Sequence, residues 1–346
     1  MLATPSLKNL SLSELTGALS GHYLTLREHV RQRLYPQPLP ASRRIRIRLD
    51  DARLGSVFIG GSLIQHPAER GLLVLVHGLG GSSSSVYLRT AAAVAHRLGI
   101  SSLRVDLRGA DGGGEDFYHA GLHSDLEHLL ESPDLREFQK VYLLGYSLGG
   151  HLCLSYAAAQ QNPRVRTLCA VCPPLDLSAS ASAFDRRRAL FYRHYVLDAL
   201  KRAYAAFQHR HALRWLPTAG QARRIQTIRA WDDCIVAPRH GFGSAARYYA
   251  EASVNRRLKD IHRPTLLVTA AHDPMVPAST LQHCVQRLPN CMQHVVLQRA
   301  GHVGFPRQVD LGGVARGSLE EQVVRWLLLA DEQRDDSAIA ARSREC

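Results

Sequence analysis

Short runs of apolar residues recur along the chain, most of them separated by stretches of helical periodicity. The run Leu72–Val76 (LLVLV) shows no alternation of polar and apolar residues, which is typical of a strand buried on both faces. Strands that alternate with helices form a mainly parallel sheet with helices on both faces. We therefore predict an α/β fold whose further central strands are Ser101–Asp106, Val141–Leu144, Val165–Val171, Thr265–Thr269 and His294–Leu297.

The segments around these strands predict the rest of the sheet and its helices. Arg43–Asp50 (RRIRIRLD) alternates basic and apolar residues, as a half-exposed edge strand does, and Leu54–Ile59 is suited to pair with it. The predicted helices reach from the loop after Leu72–Val76 to about Leu98, from Ser147 to about Gln160, and over Ser279–Arg287 and Leu319–Leu329. The polar tail from Asp331 is predicted to fray.

Residues 175–260 break the alternation of strands and helices. This block is rich in Arg, Tyr and Ala and contains no clear buried strand, so we predict a helical lid inserted late in the sheet. A chain of 346 residues is long enough for one large domain, or a core domain with such an insertion. The predicted parts are an N-terminal arm with the first edge strand at 1–50, a core at 51–174 and 261–330, the lid at 175–260 and a polar tail at 331–346.

The net charge of the chain is +13, and it is concentrated in two segments. Residues 1–50 carry a net charge of +5 and residues 175–260 one of +9, whereas the remaining segments together carry −1. A basic excess is typical of proteins that bind nucleic acid, anionic membranes or acidic substrates. In this chain the basic excess lies in the arm and the lid, so it indicates which substrate or surface approaches the protein more than it indicates the reaction at the sheet.

The pentapeptide Gly145-Tyr146-Ser147-Leu148-Gly149 is a G-x-S-x-G motif. It follows a predicted buried strand and opens a predicted helix, which is the setting of a nucleophile elbow. Gly145 and Gly149 allow the chain to turn sharply where a side chain would collide with neighbouring elements. The turn presents the Ser147 hydroxyl beyond the end of the sheet, and the helix N-terminus favours developing negative charge.

A serine hydroxyl needs a base to accept its proton, and the base needs an acid to orient it. Asp273 directly follows the Thr265–Thr269 strand, and His302 lies in a glycine-flanked loop after the last predicted strand. The order Ser, Asp, His is that of enzymes with a nucleophile elbow. Asp260 is the rival acid, but it precedes its strand and is expected at the opposite edge of the sheet. We predict Ser147 as nucleophile, His302 as base and Asp273 as the orienting acid.

The loop His77-Gly78-Leu79-Gly80-Gly81 follows the Leu72–Val76 strand. Its position predicts that the backbone N–H groups of Leu79 and Leu148 form an oxyanion hole. We interpret His77 and Gly78 as supports of this loop, with His77 bracing it rather than taking part in the reaction.

Several classes of site and targeting signal find no support in the sequence. Seven cysteines form no dense framework, and Cys169 and Cys172 have no second pair, so we predict neither disulfides nor a metal site. The glycines of Gly112–Gly114 lack the pattern of a phosphate-binding loop, and no cofactor is predicted. No stretch reaches the length of a membrane span, and Met1–Ser20 does not resemble a secretory signal. We therefore expect a cytoplasmic location.

These residues together resemble the α/β-hydrolase superfamily from about Leu72 to Arg325. More narrowly, the chain is similar to the YheT-like branch, the type-4 AB hydrolases. The resemblance implies an α/β-hydrolase fold and a serine carboxylic ester hydrolase with Ser147, Asp273 and His302 in the triad positions. Many members of the branch have Cys where this chain has Ala110, which excludes a thiol role there. The matching motifs are the loop from His77 to Gly81, Arg108-Gly109, Tyr118–Gly121, Gly145–Gly149, Trp231–Asp233, His240-Gly241, Tyr248-Tyr249, His272–Pro274 and Gly301–Phe305.

Several functions remain open at this point. Ester hydrolysis is the first, and thioester hydrolysis and acyl transfer use the same residues. A non-catalytic protein with a basic lid is the second, supported only by Arg and Tyr interleaved in Phe191–Arg214, and no nucleic-acid-binding module is apparent. A lipase in peripheral contact with anionic membranes is the third. Trp231-Asp232-Asp233 either anchors the lid or contacts the substrate. Phe191, Tyr192, Tyr195, Val196 and Leu197 either line an acyl pocket or face the core of the lid.

Overall fold

The computed structural model describes residues 17, 19–27, 38–68, 70–159, 162–211, 213–312 and 317–345, and the side chains of the last segment as far as residue 336. Eight strands of this part of the chain form one sheet, in the order β1-β2-β4-β3-β5-β6-β7-β8. Their bounds are β1 Arg43–Asp51, β2 Gly55–Ile64, β3 Leu72–Val76, β4 Ser101–Asp106, β5 Val141–Tyr146, β6 Val165–Val171, β7 Thr265–Ala270 and β8 Met292–Leu297.

The sheet is parallel from β4 to β8 and antiparallel at its first edge. β1 pairs with β2 and β2 pairs with β4 in antiparallel register, whereas the strands from β3 to β8 are parallel to one another. The prediction of a mainly parallel sheet is confirmed, and three of the predicted strands have the predicted ends. The Arg-rich segment is the edge strand, as its alternating pattern indicates.

Helices cover both faces of the sheet. Alternate residues of β3 face opposite sides, with Val74 in one core and Leu73 and Leu75 in the other. α2 and α11 pack on the second face, and α3 and α4 on the first. The helices are α1, described over 19–27, α2 Val86–Arg97, α3 Ser124–Leu130, α4 Leu148–Ala159, α5 Leu177–Phe184, α6 Leu190–His211, α7 Ala219–Arg223, α8 Ile228–Trp231, α9 Ala237–His240, α10 Ala245–Ala252 and α11 Leu319–Glu345.

Six of these helices, α5 to α10, lie between β6 and β7. Side-chain caps fix the starts of four of them, α5, α7, α8 and α10. In these caps Asp176, Thr218, Thr227 and Ser244 accept hydrogen bonds from backbone N–H groups of the first turn. A π-helical turn, Asp232–Val236, joins α8 to α9. This block is helical, as its sequence predicts, and its apolar side chains join the core on the first face of the sheet. The division into arm, core, lid and tail as separate units stays a prediction.

Two local predictions were wrong. Ser279–Arg287 is not an α-helix but a 3₁₀ turn at Ala278–Thr280 followed by further turns. Prolines at 277 and 289 bound the segment, which contains several weak helix formers such as Ser, Thr, His and Cys. The chain from Asp331 does not fray, because α11 continues through it and Asp331 is buried. Its carboxylate accepts hydrogen bonds from Arg166 Nε at 2.5 Å and Tyr142 Oη at 3.0 Å.

Within the described ranges, none of the helices is at once long enough and apolar enough to traverse a bilayer. The predicted absence of a secretory signal concerns residues 1–20, most of which lie outside the described residues.

Candidate active site

Ser147 occupies the turn between β5 and α4. Its φ is +53°, in the left-handed region that residues other than glycine rarely adopt. The surrounding backbone holds this conformation, since Ser147 N–H donates to Val171 O at 2.8 Å. A Cβ on Gly145 would lie 2.2 Å from Gly149 O, and one on Gly149 would lie 2.2 Å from Val76 O. Glycine is therefore required at both positions of the turn.

Asp273 and His302 form a buried hydrogen-bonded pair. Asp273 follows β7, and its Oδ2 accepts from His302 Nδ1–H at 2.7 Å. Its Oδ1 accepts from the backbone N–H groups of Met275 and Val276, both at 2.8 Å. These contacts fix the carboxylate, which in turn fixes the tautomer and orientation of the imidazole. Among the described residues, no side chain or backbone group hydrogen-bonds to His302 Nε2. Asp260, the rival acid, precedes β7 and does not line the cavity that Ser147 and His302 share.

Helix α1 holds the loop that carries His302, a contact that the sequence did not reveal. Thr25 Oγ1 accepts from His302 N–H at 3.0 Å. A Cβ on Gly301 would lie 2.2 Å from Thr25 Oγ1, and one on Gly304 would lie 2.1 Å from Leu24 O. The glycines flanking His302 therefore let α1 approach the loop closely. These glycines were the one signal in the sequence that another element approaches the loop, although they did not show which element it is.

The loop after β3 lies beside Ser147. A Cβ on Gly78 would lie 3.1 Å from Ser147 Cβ. His77 is buried, its Nδ1–H donates to Gly78 O at 2.8 Å, and its Nε2 accepts from Leu107 N–H at 3.3 Å. Burial lowers the pKa of His77, so its ring is neutral, and both of its nitrogens are used on backbone. This geometry supports the interpretation of His77 as a brace.

Two phenols support the same loop and were not identified from the sequence as doing so. Tyr87 Oη accepts from Gly78 N–H at 3.0 Å. Tyr118 Oη accepts from Gly80 N–H at 2.7 Å and donates to Gly78 O at 3.3 Å. Tyr118 stood in a motif of the resemblance, but its partner lies 38 residues away, and spacing alone does not identify such a contact.

A cavity of about 800 Å³ opens above Ser147. Its wall on the sheet side includes Ser147, His302 and the predicted oxyanion residues Leu79 and Leu148. Its other wall is formed by the lid helices and is mainly apolar, although Leu197 lies in the core beside it and not in the wall. The lid residues that line it include Leu177, Phe184, Phe191, Tyr192, Tyr195, Val196, Leu200, Trp231, Asp232, Val236, Tyr248 and Tyr249.

Cys172, Asp273 and His302 are the one cluster among the described residues that brings three metal-ligand atoms together, within 4.8 Å of one another. Burial, with the Asp273 carboxylate beside it, raises the pKa of the Cys172 thiol well above its usual value. The protonated thiol is a hydrogen-bond donor to the Asp273 carboxylate. The Asp273–His302 bond already uses the Nδ1 atom of His302. Cys169 is buried in the core, as predicted.

Some of the basic residues of the lid are buried and therefore do not add to the charge of its surface. Arg239 is buried, and its guanidinium donates to Asp116 at 3.0 and 2.8 Å and to Asp51 at 3.0 Å. Arg108 makes two bonds of 2.6 Å to Asp125 and joins the same cluster. The cluster connects the lid to the loop after β4 and to the first hairpin. Arg239 lies 123 residues from Asp116 and 188 residues from Asp51 in sequence, which is why spacing did not predict these contacts.

Comparison with known proteins gives one family. The sequence pattern described as the alpha/beta hydrolase family matches residues 73–311. YheT of Escherichia coli (strain K12), which carries the name of an esterase, is 29% identical over 283 residues, covering 78% of this chain and 81% of YheT. The monoacylglycerol lipase of Saccharomyces cerevisiae is 24% identical over 252 residues, covering 68% of this chain and 54% of that enzyme. The esterase Pf2001 of Pyrococcus furiosus is similar in structure with a TM-score of 0.48 and 15% identity, covering 76% of this chain and 85% of that one.

Proposed function

Because the chain belongs to the alpha/beta hydrolase family and is YheT-like, we propose that it hydrolyses carboxylic esters through an acyl-enzyme on Ser147, His302 and Asp273. The observation that carries the proposal is the buried 2.7 Å bond between His302 and Asp273, in a wall that His302 shares with the strained Ser147 turn. Homologues named as esterase and monoacylglycerol lipase support the same class of reaction.

The first half of the reaction transfers the acyl group to Ser147. The Ser147 hydroxyl attacks the ester carbonyl while His302 Nε2 takes its proton. Asp273 stabilises the resulting imidazolium, and the imidazolium then donates the proton to the departing alcohol. In the second half, water attacks the acyl-enzyme with His302 again as base, and the carboxylic acid leaves as Ser147 regains its proton.

The tetrahedral intermediates carry negative charge on the former carbonyl oxygen. We assign its stabilisation to the backbone N–H groups of Leu79 and Leu148, whose residues line the cavity on either side of Ser147. The bonds from His77, Tyr87 and Tyr118 to the Gly78–Gly80 backbone hold this loop in place before the charge develops. Fixed donors of this kind need no rearrangement at the moment of reaction.

The lid wall favours a substrate with an apolar acyl chain. Aromatic and aliphatic side chains of α5, α6 and α8 supply most of that wall, and a cavity of about 800 Å³ is large enough for a lipid-like ester. Thioester hydrolysis and acyl transfer use the same triad, and they differ from ester hydrolysis in the leaving group and in the final acceptor.

The proposal is tested by labelling and turnover. We expect a fluorophosphonate to label the wild-type protein and not Ser147→Ala, and a panel of p-nitrophenyl esters to show turnover that Ser147→Ala lacks. A folded wild type that neither reacts with the fluorophosphonate nor cleaves any ester would refute it. Activity that peaks at short acyl chains indicates a carboxylesterase, and activity that rises with chain length indicates a lipase.

We also propose that the cavity mouth contacts anionic lipid surfaces. Six of the nine large apolar side chains that are exposed in the described part of the chain lie on α1 and α6, each between 42% and 69% exposed. Three of them, Leu26, Phe191 and Tyr195, also line the cavity. The two helices meet where His22 Nδ1 and Tyr192 Oη are 2.8 Å apart. The other three exposed side chains are Leu19, Tyr23 and Leu190.

The charge around this mouth fits an anionic surface. Arg186, Arg187 and Arg188 are consecutive, exposed and immediately precede the exposed start of α6. Basic residues beside apolar ones bind membranes by electrostatic attraction and shallow insertion together. We expect the protein to sediment with vesicles that contain phosphatidylglycerol and much less with phosphatidylcholine alone. Equal binding to both, or binding to neither, would contradict this contact and leave the ester hydrolase proposal intact.

A further inference from the structure

One acidic side chain stands in the apolar lid wall of the cavity. Asp232 begins the π-helical turn after α8 and lines the same cavity as Ser147. Its neighbours in this wall include Trp231, Val236 and Tyr248. A carboxyl group in such surroundings loses hydration, which is costly unless polar partners replace the water. Its presence in the wall therefore calls for a polar partner.

The protein supplies only part of the hydrogen bonding that the Asp232 carboxyl group requires. Tyr249 Oη donates to Asp232 Oδ2 at 2.6 Å. No second hydrogen bond and no ion pair to the Asp232 side chain occurs among the described residues. Arg229, the nearby cation, instead donates to Ser178 Oγ at 3.1 Å and lies 5.2 Å from the centre of the Tyr249 ring. Since two carboxyl oxygens accept about four hydrogen bonds, most of the acceptor capacity of Asp232 is unused.

The bond to Tyr249 joins the π-helical turn to α10, but it occupies only one position of the Asp232 carboxyl group, and neighbouring carboxylates anchor the same helices. Asp233 accepts from the backbone N–H of Ala245 at 2.8 Å, at the start of α10. Asp185 accepts from the backbone N–H groups of Ile228 and Arg229 at 2.7 and 3.1 Å, at the start of α8. The adjacent acids Asp232 and Asp233 therefore have different surroundings, one facing the cavity and one capping a helix.

We propose that Asp232 and Tyr249 form a subsite for a free hydroxyl group on the ester substrate, an inference that rests on the proposed ester hydrolysis. The substrate hydroxyl donates to the Asp232 carboxyl group, while the Tyr249 phenol holds that group in position. The subsite makes a hydroxylated ester a better substrate than the same ester without the hydroxyl. A site that hydrogen-bonds a hydroxyl discriminates strongly against an analogue that lacks it, because the buried polar group is then left unpaired.

A neutral donor fits this subsite better than a cation does. Burial raises the pKa of Asp232 to about 7, so near neutral pH the group is only partly ionised. A cation in the apolar cavity would require a fully ionised carboxylate to offset its own loss of hydration. A hydroxyl group donates to either protonation state of the carboxyl group.

The test uses pairs of esters that differ by hydroxyl groups. The pairs are glycerol 1-monobutyrate with propyl butyrate, and ethyl 3-hydroxybutyrate with ethyl butyrate. We expect kcat/KM of the wild type to favour the hydroxylated member of at least one pair by about tenfold or more. In Asp232→Ala this ratio should fall to about one, and in Tyr249→Phe it should fall part of the way. The matched control is Asp233→Asn, in the adjacent residue outside the cavity wall, which should keep the wild-type ratio.

The paired esters distinguish three outcomes: a poorly folded variant, the absence of ester hydrolysis, and the absence of the subsite. A variant that merely folds poorly loses activity on both members of a pair, so its ratio is unchanged, and fluorophosphonate labelling reports whether Ser147 remains reactive. A wild type that cleaves none of these esters and is not labelled by the fluorophosphonate refutes the ester hydrolase proposal itself, and one that is labelled but cleaves none of them overturns the subsite. A wild type that cleaves both members of each pair equally, or a preference that survives in Asp232→Ala, overturns the subsite. The subsite is also overturned if Asp232→Ala loses activity on the cationic ester butyrylcholine but not on its uncharged analogue 3,3-dimethylbutyl butyrate, because that result identifies a cation site.

Discussion

The two walls of the cavity are built in different ways. On the sheet side, Ser147, Asp273 and His302 are fixed by backbone hydrogen bonds and by glycines that leave no room for a side chain. On the lid side, the wall consists of helices joined by side-chain contacts, and it carries the exposed apolar residues and Asp232. The rigid wall suits a reaction that needs fixed geometry, and the lid wall suits the choice of substrate. Changes on the sheet side should therefore alter the reaction, and changes on the lid side should alter selectivity, stability or binding.

The largest effect is expected from Asp273→Asn. An amide cannot hold the tautomer that leaves His302 Nε2 free to accept a proton, so kcat should fall by about 10⁴-fold. Fluorophosphonate labelling should slow in parallel, while circular dichroism and the melting temperature show a folded protein. A loss below about tenfold would mean that another group orients His302.

The next effect concerns Asp232 and the pH dependence of stability. Because its pKa is raised from 3.8 to about 7 in the folded state, its contribution to the free energy of unfolding is complete below the unfolded pKa. That contribution is lost as the pH rises through about 7. Asp232→Asn removes the ionisation and keeps an acceptor for Tyr249. Its free energy of unfolding relative to wild type should therefore rise by about 2–3 kcal/mol between pH 5 and pH 8.

Urea unfolding of both proteins at the two pH values measures this change. Asp233→Asn is the matched control, because the neighbouring carboxylate is exposed and lies outside the cavity wall. A difference between wild type and Asp232→Asn that does not vary with pH would show that Asp232 is well hydrated in the cavity.

A smaller effect is expected where α1 meets the sheet wall. Thr25→Ala removes the acceptor for the His302 backbone N–H and should lower kcat about tenfold, because the loop that carries the proposed base is then held less firmly. Thr25→Ser keeps the hydroxyl and should retain activity near that of the wild type. Equal losses in both variants would assign the effect to packing of the Thr25 methyl group.

The smallest effect on hydrolysis is expected at the lid rim. Leu190 is 58% exposed and does not line the cavity, so Leu190→Ser should change turnover of a short-chain ester in solution by less than about twofold. The same variant should bind phosphatidylglycerol vesicles more weakly in co-sedimentation. Unaltered vesicle binding would remove Leu190 from the proposed contact, and a large loss of turnover in solution would contradict the division between the two walls.

The sequence predicted the parts of the molecule that depend on local pattern. The apolar runs of β3, β4 and β6 gave the strand ends, and the glycine pattern around Ser147 gave the elbow. The chain order of Ser147, Asp273 and His302 predicted that the sheet brings them to one edge, and the structure places them there. Their catalytic roles stay a prediction until they are tested.

Contacts between distant segments could not be predicted in this way. Thr25 and His302 are 277 residues apart, and Arg239 and Asp116 are 123 apart, so no periodicity relates them. For the same reason the sequence did not show that Arg239, one of the basic residues of the lid, is buried against acids from other segments. The prediction of a helix over Ser279–Arg287 was wrong. Turns also bring the apolar residues of this segment to the core, and the flanking prolines limit the length that a helix could have.

The contact between α1 and the loop that carries His302 affects the order in which the protein assembles during synthesis. α1 precedes all eight strands of the described sheet, but the loop that receives it, from Gly301 to Phe305, follows β8. His302 therefore gains its backbone support only after both segments have been synthesised. A nascent chain interrupted before β8 can form much of the sheet and the lid, yet it lacks the proposed base. Assembly of α1 with this loop thus couples the support of His302 to the synthesis of every strand of the sheet.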